Sequence, residues 1–440
     1  MTKHPFTHVR TVLLILVLVS VGCTPVAAPA NSGEAATGPV EIQVFYPVAV
    51  DAPIAEILQG YADAFQAEHP DISIEPVFAG GYGDVKTTIQ TTVEGGGTPP
   101  ALAVMLATDL YDLVNGDLIV PLDDYVASSE GGEELLGDIY PAFLANSTFD
   151  DQLWSLPFQR SVVALYYNAA LLTEAGLDTP SSWEELAAAA QALTLKDGEE
   201  FTRRGIQWPS GWPYWLFQPL ALGNGQNILV DDLTVSFDDP AVVEAVQFYI
   251  DLAQEYDAMP AGVQAVWGQT PSDFTSGAAA MIVHSSGSLA GILESADFEV
   301  GVMPIPGKEA GSFATVPGGG NLYIMNSVEQ AQQDAAWTFI EFLSRPENMA
   351  DYSINTGYVA SRGDAYETEA MQTYLETAPQ AAAMRDSLDY AGAELSLQNL
   401  GEVRGIFHNY LQAAYNGEMS AADAMAAAQA DAEAALEAFK

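Results

Sequence analysis

Basic residues are scarce: 13 lysines and arginines face 59 aspartates and glutamates in a chain of 440 residues. With so few cations there is no basic stripe to neutralise a phosphate backbone, which excludes nucleic-acid binding. The same deficit removes any attraction to anionic lipid. The acidity serves instead to keep a secreted protein soluble. Cysteine is scarcer still, since Cys23 stands alone and no intrachain disulfide can form. Five scattered histidines offer no zinc framework, so no metal and no cofactor is expected. Beyond the first two dozen residues no apolar run is long enough to cross a membrane. No Gly-x-Ser-x-Gly elbow occurs, and no Gly-Lys-Ser/Thr follows the glycines at 95–97.

What is present argues for a folded, exported chain. Hydrophobic residues make up 49% and there are seven tryptophans, which rules out disorder, and the length suits two domains. Lys3 and Arg10 form a positive n-region, and Val12 to Val19 an apolar h-region. Ser20-Val21-Gly22-Cys23 then resembles a bacterial lipobox, although Ser20 stands where leucine is usual. The expectation is a signal peptide over 1–22, lipidation of Cys23, and a flexible tether over 23–40 rich in Ala, Pro, Gly and Ser. Only that lipid would touch the membrane.

Glu41 to Val48 reads as a strand with a proline stop. Asp51 and Pro53 open a helix whose Ile54, Ile57, Leu58, Tyr61 and Phe65 share a face. Ile72 to Val77 is a second strand, so the order strand, helix, strand predicts a parallel pair in an α/β lobe. Gly80-Gly81-Tyr82 follows at the carboxyl end of that strand, where open α/β sheets keep their ligands. A third strand runs from Ala101 to Leu106. Further on, Ser182-Trp183-Glu184-Glu185 is a capping box, and Asp239-Pro240 opens an amphipathic helix. A helix over 331–343 ends at Ser344-Arg345-Pro346, an expected hinge, and a helical tail runs from Ser420 to Lys440.

One stretch gathers the chemistry. Ala280 to Val283 is an apolar strand that ends in Ser285-Ser286-Gly287-Ser288, with a helix-like run from Leu289. Serine hydroxyls and free backbone N–H groups at such a helix start suit an anion or a polyol. Glycine and proline follow in Gly301-Val302-Met303-Pro304-Ile305-Pro306-Gly307, and Gly318-Gly319-Gly320 opens another strand. These words, in this order, closely resemble the extracellular solute-binding proteins of ABC importers. The likeness is to the maltose-binding-like group and, within it, to the members that bind glycerol phosphate. It covers nearly the whole mature chain.

That resemblance implies a type II periplasmic-binding-protein-like fold. Two α/β lobes, each a mixed sheet flanked by helices, would be joined by three crossings, with lobe 1 over 41–153 and 302–345 and lobe 2 over 154–301 and 346–440. It implies ligand contacts at Tyr82, Ser161, Ser285, Gly319, Tyr358 and Arg404, with Trp212, Tyr214 and Trp215 walling the pocket. Arg404, Ser285 and the Gly319 N–H would hold a phosphate, since guanidinium grips it in a bidentate fork. Where the family places a glutamate this chain has Leu106, and whether Asp109 or Arg160 stands in for it is left open.

The lost acid sets sn-glycerol 3-phosphate against a glycerophosphodiester such as glycerophosphocholine. The choline of the diester would lie over Trp212, Tyr214 or Trp215. An oligosaccharide is the alternative that the aromatics and Leu106 favour. The global acidity does not decide the matter, because screening confines surface charge to about 8 Å. The implied partners are a small-molecule ligand and the transmembrane subunits of an ABC permease, and the protein is expected to be a monomer. A cell-surface hydrolase has less support: His284 and Ser285 are strand neighbours that face opposite ways, and no carboxylate pair stands out.

Overall fold

The computed structural model describes residues 38–262 and 265–440. The expected signal peptide, the lipidation site Cys23 and all but the end of the tether lie outside the described residues.

Alternation of apolar and polar residues makes Val40–Tyr46 a strand with Ile42, Val44 and Tyr46 turned inward. It pairs in parallel with Ile72–Phe78, from Val40 opposite Ile72 to Tyr46 opposite Phe78. The connecting helix, Ile54–Glu68, covers this pair with Ile54, Leu58, Tyr61, Ala62 and Phe65 buried, while Ile57 is only partly so. Pro53 precedes it and no side chain caps it, so Asp51 does not play the expected opening role. Leu102–Leu106 joins the other side of the first strand in parallel. Pro317–Ile324 then lies antiparallel to Leu102–Leu106 on one edge and to Leu156–Asn168 on the other. Parallel and antiparallel pairs therefore meet in one mixed sheet.

Leu156–Asn168 is the strand on which the fold turns. Its run of apolar residues is buried on both faces almost throughout, as a strand covered on two sides must be. Residues from Leu156 to Val162 pair with Pro317–Ile324. Residues from Val163 onward pair antiparallel with Met281–Ser285 and Val300–Met303. Parallel bridges from Arg204 to Ala279 and from Gln207 to Ile282 extend that half of the sheet. One thirteen-residue strand thus joins two halves of a seven-stranded sheet.

Helices cover both. The Ser182 hydroxyl caps Trp183–Leu193 by accepting from Glu185 N, but the Glu185 carboxylate turns to Ser181 N and Oγ rather than closing the capping box. Asp239 caps Pro240–Gln254 through Ala241 N. Gln330–Leu343 passes directly into Pro346–Thr356, with Arg345 as the residue before the second helix. The tail is the helix Ala421–Leu436, packed on Leu400–Tyr415. One apolar cluster joins Ile42, Phe65 and Leu102 to Tyr352 and Met371. Another gathers Trp183, Phe237, Leu252 and Phe407.

Candidate ligand-binding site

A small cleft opens where the carboxyl ends of several strands meet the aromatic start of a helix at 212–215. Tyr82 enters it from the first turn of the helix Tyr82–Glu94. Its hydroxyl donates to Gln159 Oε1 at 3.2 Å, and Gln159 Nε2 donates to Tyr352 Oη at 2.7 Å. Tyr352 stacks on Tyr358, which also faces the cleft. Burial holds the phenols of Tyr82 and Tyr358 above their ordinary range, that of Tyr358 to about 12, so both stay neutral hydrogen-bonding groups.

Glycine is required at 318 and 319 for a stated reason. Gly319 has φ +92°, and a Cβ there would lie 1.9 Å from the Gln159 carbonyl oxygen. At Gly318 a Cβ would strike the Trp215 ring at 2.5 Å. That close approach lets Trp215 Nε1 donate to Pro317 O at 2.8 Å. Ser161 lies opposite Gly318 on the neighbouring strand and lines the cleft. Ser285 ends Met281–Ser285, its Oγ accepts from Gly287 N at 3.0 Å, and its O–H remains a donor.

The aromatic wall is Trp212, Tyr214, Trp215 and Trp267. Trp212 holds φ 56°, a left-handed conformation that costs a bulky residue about 1–3 kcal/mol. It starts the helix Pro213–Gly223. Trp267 stacks on His284 at 3.8 Å and donates from Nε1 to Ala49 O at 3.0 Å.

Charge is sparse and specific. Among the described residues every lysine and arginine except Arg160, Arg203 and Arg404 lies within 4.0 Å of a carboxylate. Arg203 donates to the Leu193 carbonyl. Arg404, in the helix Leu400–Tyr415, is half-buried behind the cleft wall. Its guanidinium lies 5.8 Å from the Trp212 ring centre and 5.9 Å from that of Tyr214, and its Nη1 is buried without a partner. Glu394 lines the cleft, 3% exposed, with Oε1 at 3.3 Å from Tyr214 Oη and Oε2 unpartnered. Burial pushes its carboxyl up to about 8, against the pull of Arg160 and Arg404. His408 accepts from Tyr214 N at 3.3 Å, and burial with Arg404 nearby holds it down to about 4, so it is neutral.

Residues 51–350 match the family of bacterial extracellular solute-binding proteins. The chain belongs to that family. It is a solute-binding protein of the ABC-importer type, in a family of transport receptors. The sn-glycerol-3-phosphate-binding periplasmic protein UgpB of Pectobacterium atrosepticum is 26% identical over 416 residues, covering 89% of this chain and 90% of that one. UgpB of Escherichia coli K12 is also 26% identical, over 402 residues, covering 86% and 88%. The crystal structure of UgpB from Mycobacterium tuberculosis in complex with glycerophosphocholine superposes with a TM-score of 0.80 at 23% identity, covering 92% of this chain and 99% of that one. A cyclic α-maltosyl-1,6-maltose binding protein from Arthrobacter globiformis follows at a TM-score of 0.76 and 23% identity, covering 91% and 100%. The fold is the two-lobed α/β fold of maltose-binding-like periplasmic binding proteins.

In this solute-binding protein the cleft brings together Tyr82, Leu106, Ser161, Trp212, Tyr214, Trp215, Ser285, Gly319 and Tyr358. Two residues expected there stand elsewhere. Arg404 lies behind the aromatic wall rather than on it. Arg160 is not on the wall either: it is fully buried, its Nη1 donates to Asn321 Oδ1 at 2.9 Å, and its guanidinium lies over Phe143. A strand position opposite Gly319 turns it into the core. Asp109 does not line the cleft: it is buried, and Lys86 Nζ binds it at 2.9 Å. Reading the sequence missed Glu394 and Trp267. Glu394 is a lone acid in Ala391-Gly392-Ala393-Glu394-Leu395, the same kind of setting that singled out Arg404. His284 Nδ1 and Ser288 Oγ are 3.0 Å apart, yet both are buried and neither lines the cleft.

Proposed function

We propose that this solute-binding protein captures a glycerol phosphate, as sn-glycerol 3-phosphate or as a glycerophosphodiester, in the cleft between two closing lobes and delivers it to a membrane permease. The observation that carries this reading is Arg404. In a chain whose other described bases are nearly all neutralised by acids, its guanidinium keeps a buried nitrogen without a partner, beside the aromatic wall. Serine hydroxyls at 161 and 285 and the glycine run at 318–319 supply neutral donors of the kind that phosphate accepts. The relatives named for glycerol phosphate support the same choice.

Lobe 1 is assigned to 41–153 and 302–345, and lobe 2 to 154–301 and 346–440. The protein would act as a monomer outside the cytoplasm, held by a lipid on Cys23. An oligosaccharide is the second reading, favoured by six aromatic rings on the cleft. A thermal-shift comparison of glycerol 3-phosphate, glycerophosphocholine and maltose ranks the two, since a ligand that binds the native state raises Tm. Arg404→Ala removes the response to both phosphate compounds and spares a response to maltose. A maltose response alone in the wild type would overturn the phosphate reading.

A further inference from the structure

We infer that Glu394 is the specificity-determining residue of the cleft, accepting the ammonium headgroup of a zwitterionic glycerophosphodiester and disfavouring the more negative glycerol 3-phosphate. This rests on the phosphate reading of the same cleft and goes beyond it by naming the group that reads the rest of the ligand.

Glu394 is the one acidic side chain, and no base stands beside it, among the residues lining the cleft. Its Oε1 accepts from Tyr214 Oη, while Oε2 is buried with no hydrogen-bond partner, so the protein leaves that carboxyl without a group that would offset its charge on ionisation. Among the described residues no lysine or arginine comes within 4.0 Å of it. A cation brought by the ligand would therefore meet both a carboxylate and the rings of Trp212, Tyr214 and Trp215, which attract ammonium through their faces. Arg404 stands behind two of those rings. Acid and base flanking one cleft match a molecule that carries one charge of each sign. A phosphate monoester brings extra negative charge to the carboxylate and no cation.

The charged and titratable groups around Glu394 come from every side. They are Tyr214 of the helix Pro213–Gly223, Arg160 of the strand Leu156–Asn168, Tyr323 of the strand Pro317–Ile324, Arg404 of the helix Leu400–Tyr415, and Asp109 after Leu102–Leu106. Burial dominates and holds the carboxyl near 8, so the empty cleft keeps it largely protonated at neutral pH. A bound cation favours the ionised form, and its affinity rises with pH up to about that value. An added anion favours the protonated form and shows the opposite slope.

Titration calorimetry on the full chain tests this, with glycerophosphocholine and glycerol 3-phosphate from about pH 7 to about pH 9, above the phosphate's second ionisation. The wild type should prefer glycerophosphocholine by about tenfold or more, and Glu394→Gln should lose most of that preference by weakening the diester and strengthening the monoester. Neither charge of glycerophosphocholine titrates in this range, so its rising affinity in the wild type and flat profile in Glu394→Gln report the carboxyl. The wild-type pH profile makes the same test without any substitution. An unchanged ranking in Glu394→Gln, an equal loss for both ligands, or a flat wild-type profile overturns the inference. Failure of both phosphate compounds to bind the wild type overturns the phosphate reading beneath it.

Discussion

Around Arg160 the chain supplies an amide oxygen from Asn321, the ring of Phe143 and the backbone of a neighbouring strand. Around Arg404 it supplies the rings of Trp212 and Tyr214, which themselves border the cleft. Both guanidinium groups keep buried nitrogens unpartnered, and both act on Glu394. Arg160 is a cation of the core, held by a protein acceptor and felt in the cleft only through its field. Arg404 is a half-buried cation of the cleft's outer layer. Sequence context alone does not separate the two, because each stands among small and apolar neighbours; the strand register does.

The substitution with the largest expected effect disturbs both surroundings together. Gly319→Ala forces a Cβ against the Gln159 carbonyl in the strand that carries Arg160. Thermal unfolding should show a loss of more than about 2 kcal/mol, and binding of every ligand should fall with it. A native Tm would mean that the strands can part at no cost.

Arg404→Lys keeps a charge and loses the planar fork. Affinity for phosphate ligands should drop by about tenfold or more with little change in Tm, as measured by calorimetry and thermal shift. Arg160→Lys should do the reverse. It leaves Asn321 Oδ1 short of its donor and lowers stability by about 1–3 kcal/mol, while the ranking of ligands stays. If Arg160→Lys changed the ranking and Arg404→Lys did not, the contrast between the two would be inverted.

Acid sharpens the comparison from the Arg404 side. Burial holds His284 and His408 down to about 4, whereas the unfolded chain takes up those protons near 6.5. The native state binds fewer protons in that window, so stability falls as pH drops from about 6.5 to about 4 and is fully retained above it. A Tm series across this range should decline, and His408→Gln should make the decline shallower. The smallest effect belongs to a base far from either surrounding. Lys308 pairs with Glu244 in the open, and Lys308→Ala should move stability by less than about 1 kcal/mol with ligand binding unchanged.

The fold was legible where local rules act alone. Apolar alternation marked the first strands, helical spacing marked Ile54 to Phe65, and the Ser182 and Asp239 caps marked two helix starts. Much of the cleft lining was named beforehand because a resemblance, not periodicity, attached meaning to short runs such as Gly318 to Gly320. Glu394 was passed over for a physical reason: among 59 acids a lone one in an apolar run is a weak signal, and its burial without a base beside it comes from packing. Trp267 reaches the cleft from a distant segment through its bond to Ala49. Arg160 was left open because strand alternation decides its face, and a shift of one residue would have put it on the other.

The strand Leu156–Asn168 carries a further consequence. Its first half is registered to Pro317–Ile324 and its second half to Met281–Ser285 and Val300–Met303, with no loop between to absorb slack. A single residue inserted near Val162 would turn one half upside down relative to the other and exchange the side chains packed on its two buried faces. The two halves of the sheet therefore share a common phase, and the length of that strand is fixed far more tightly than its composition.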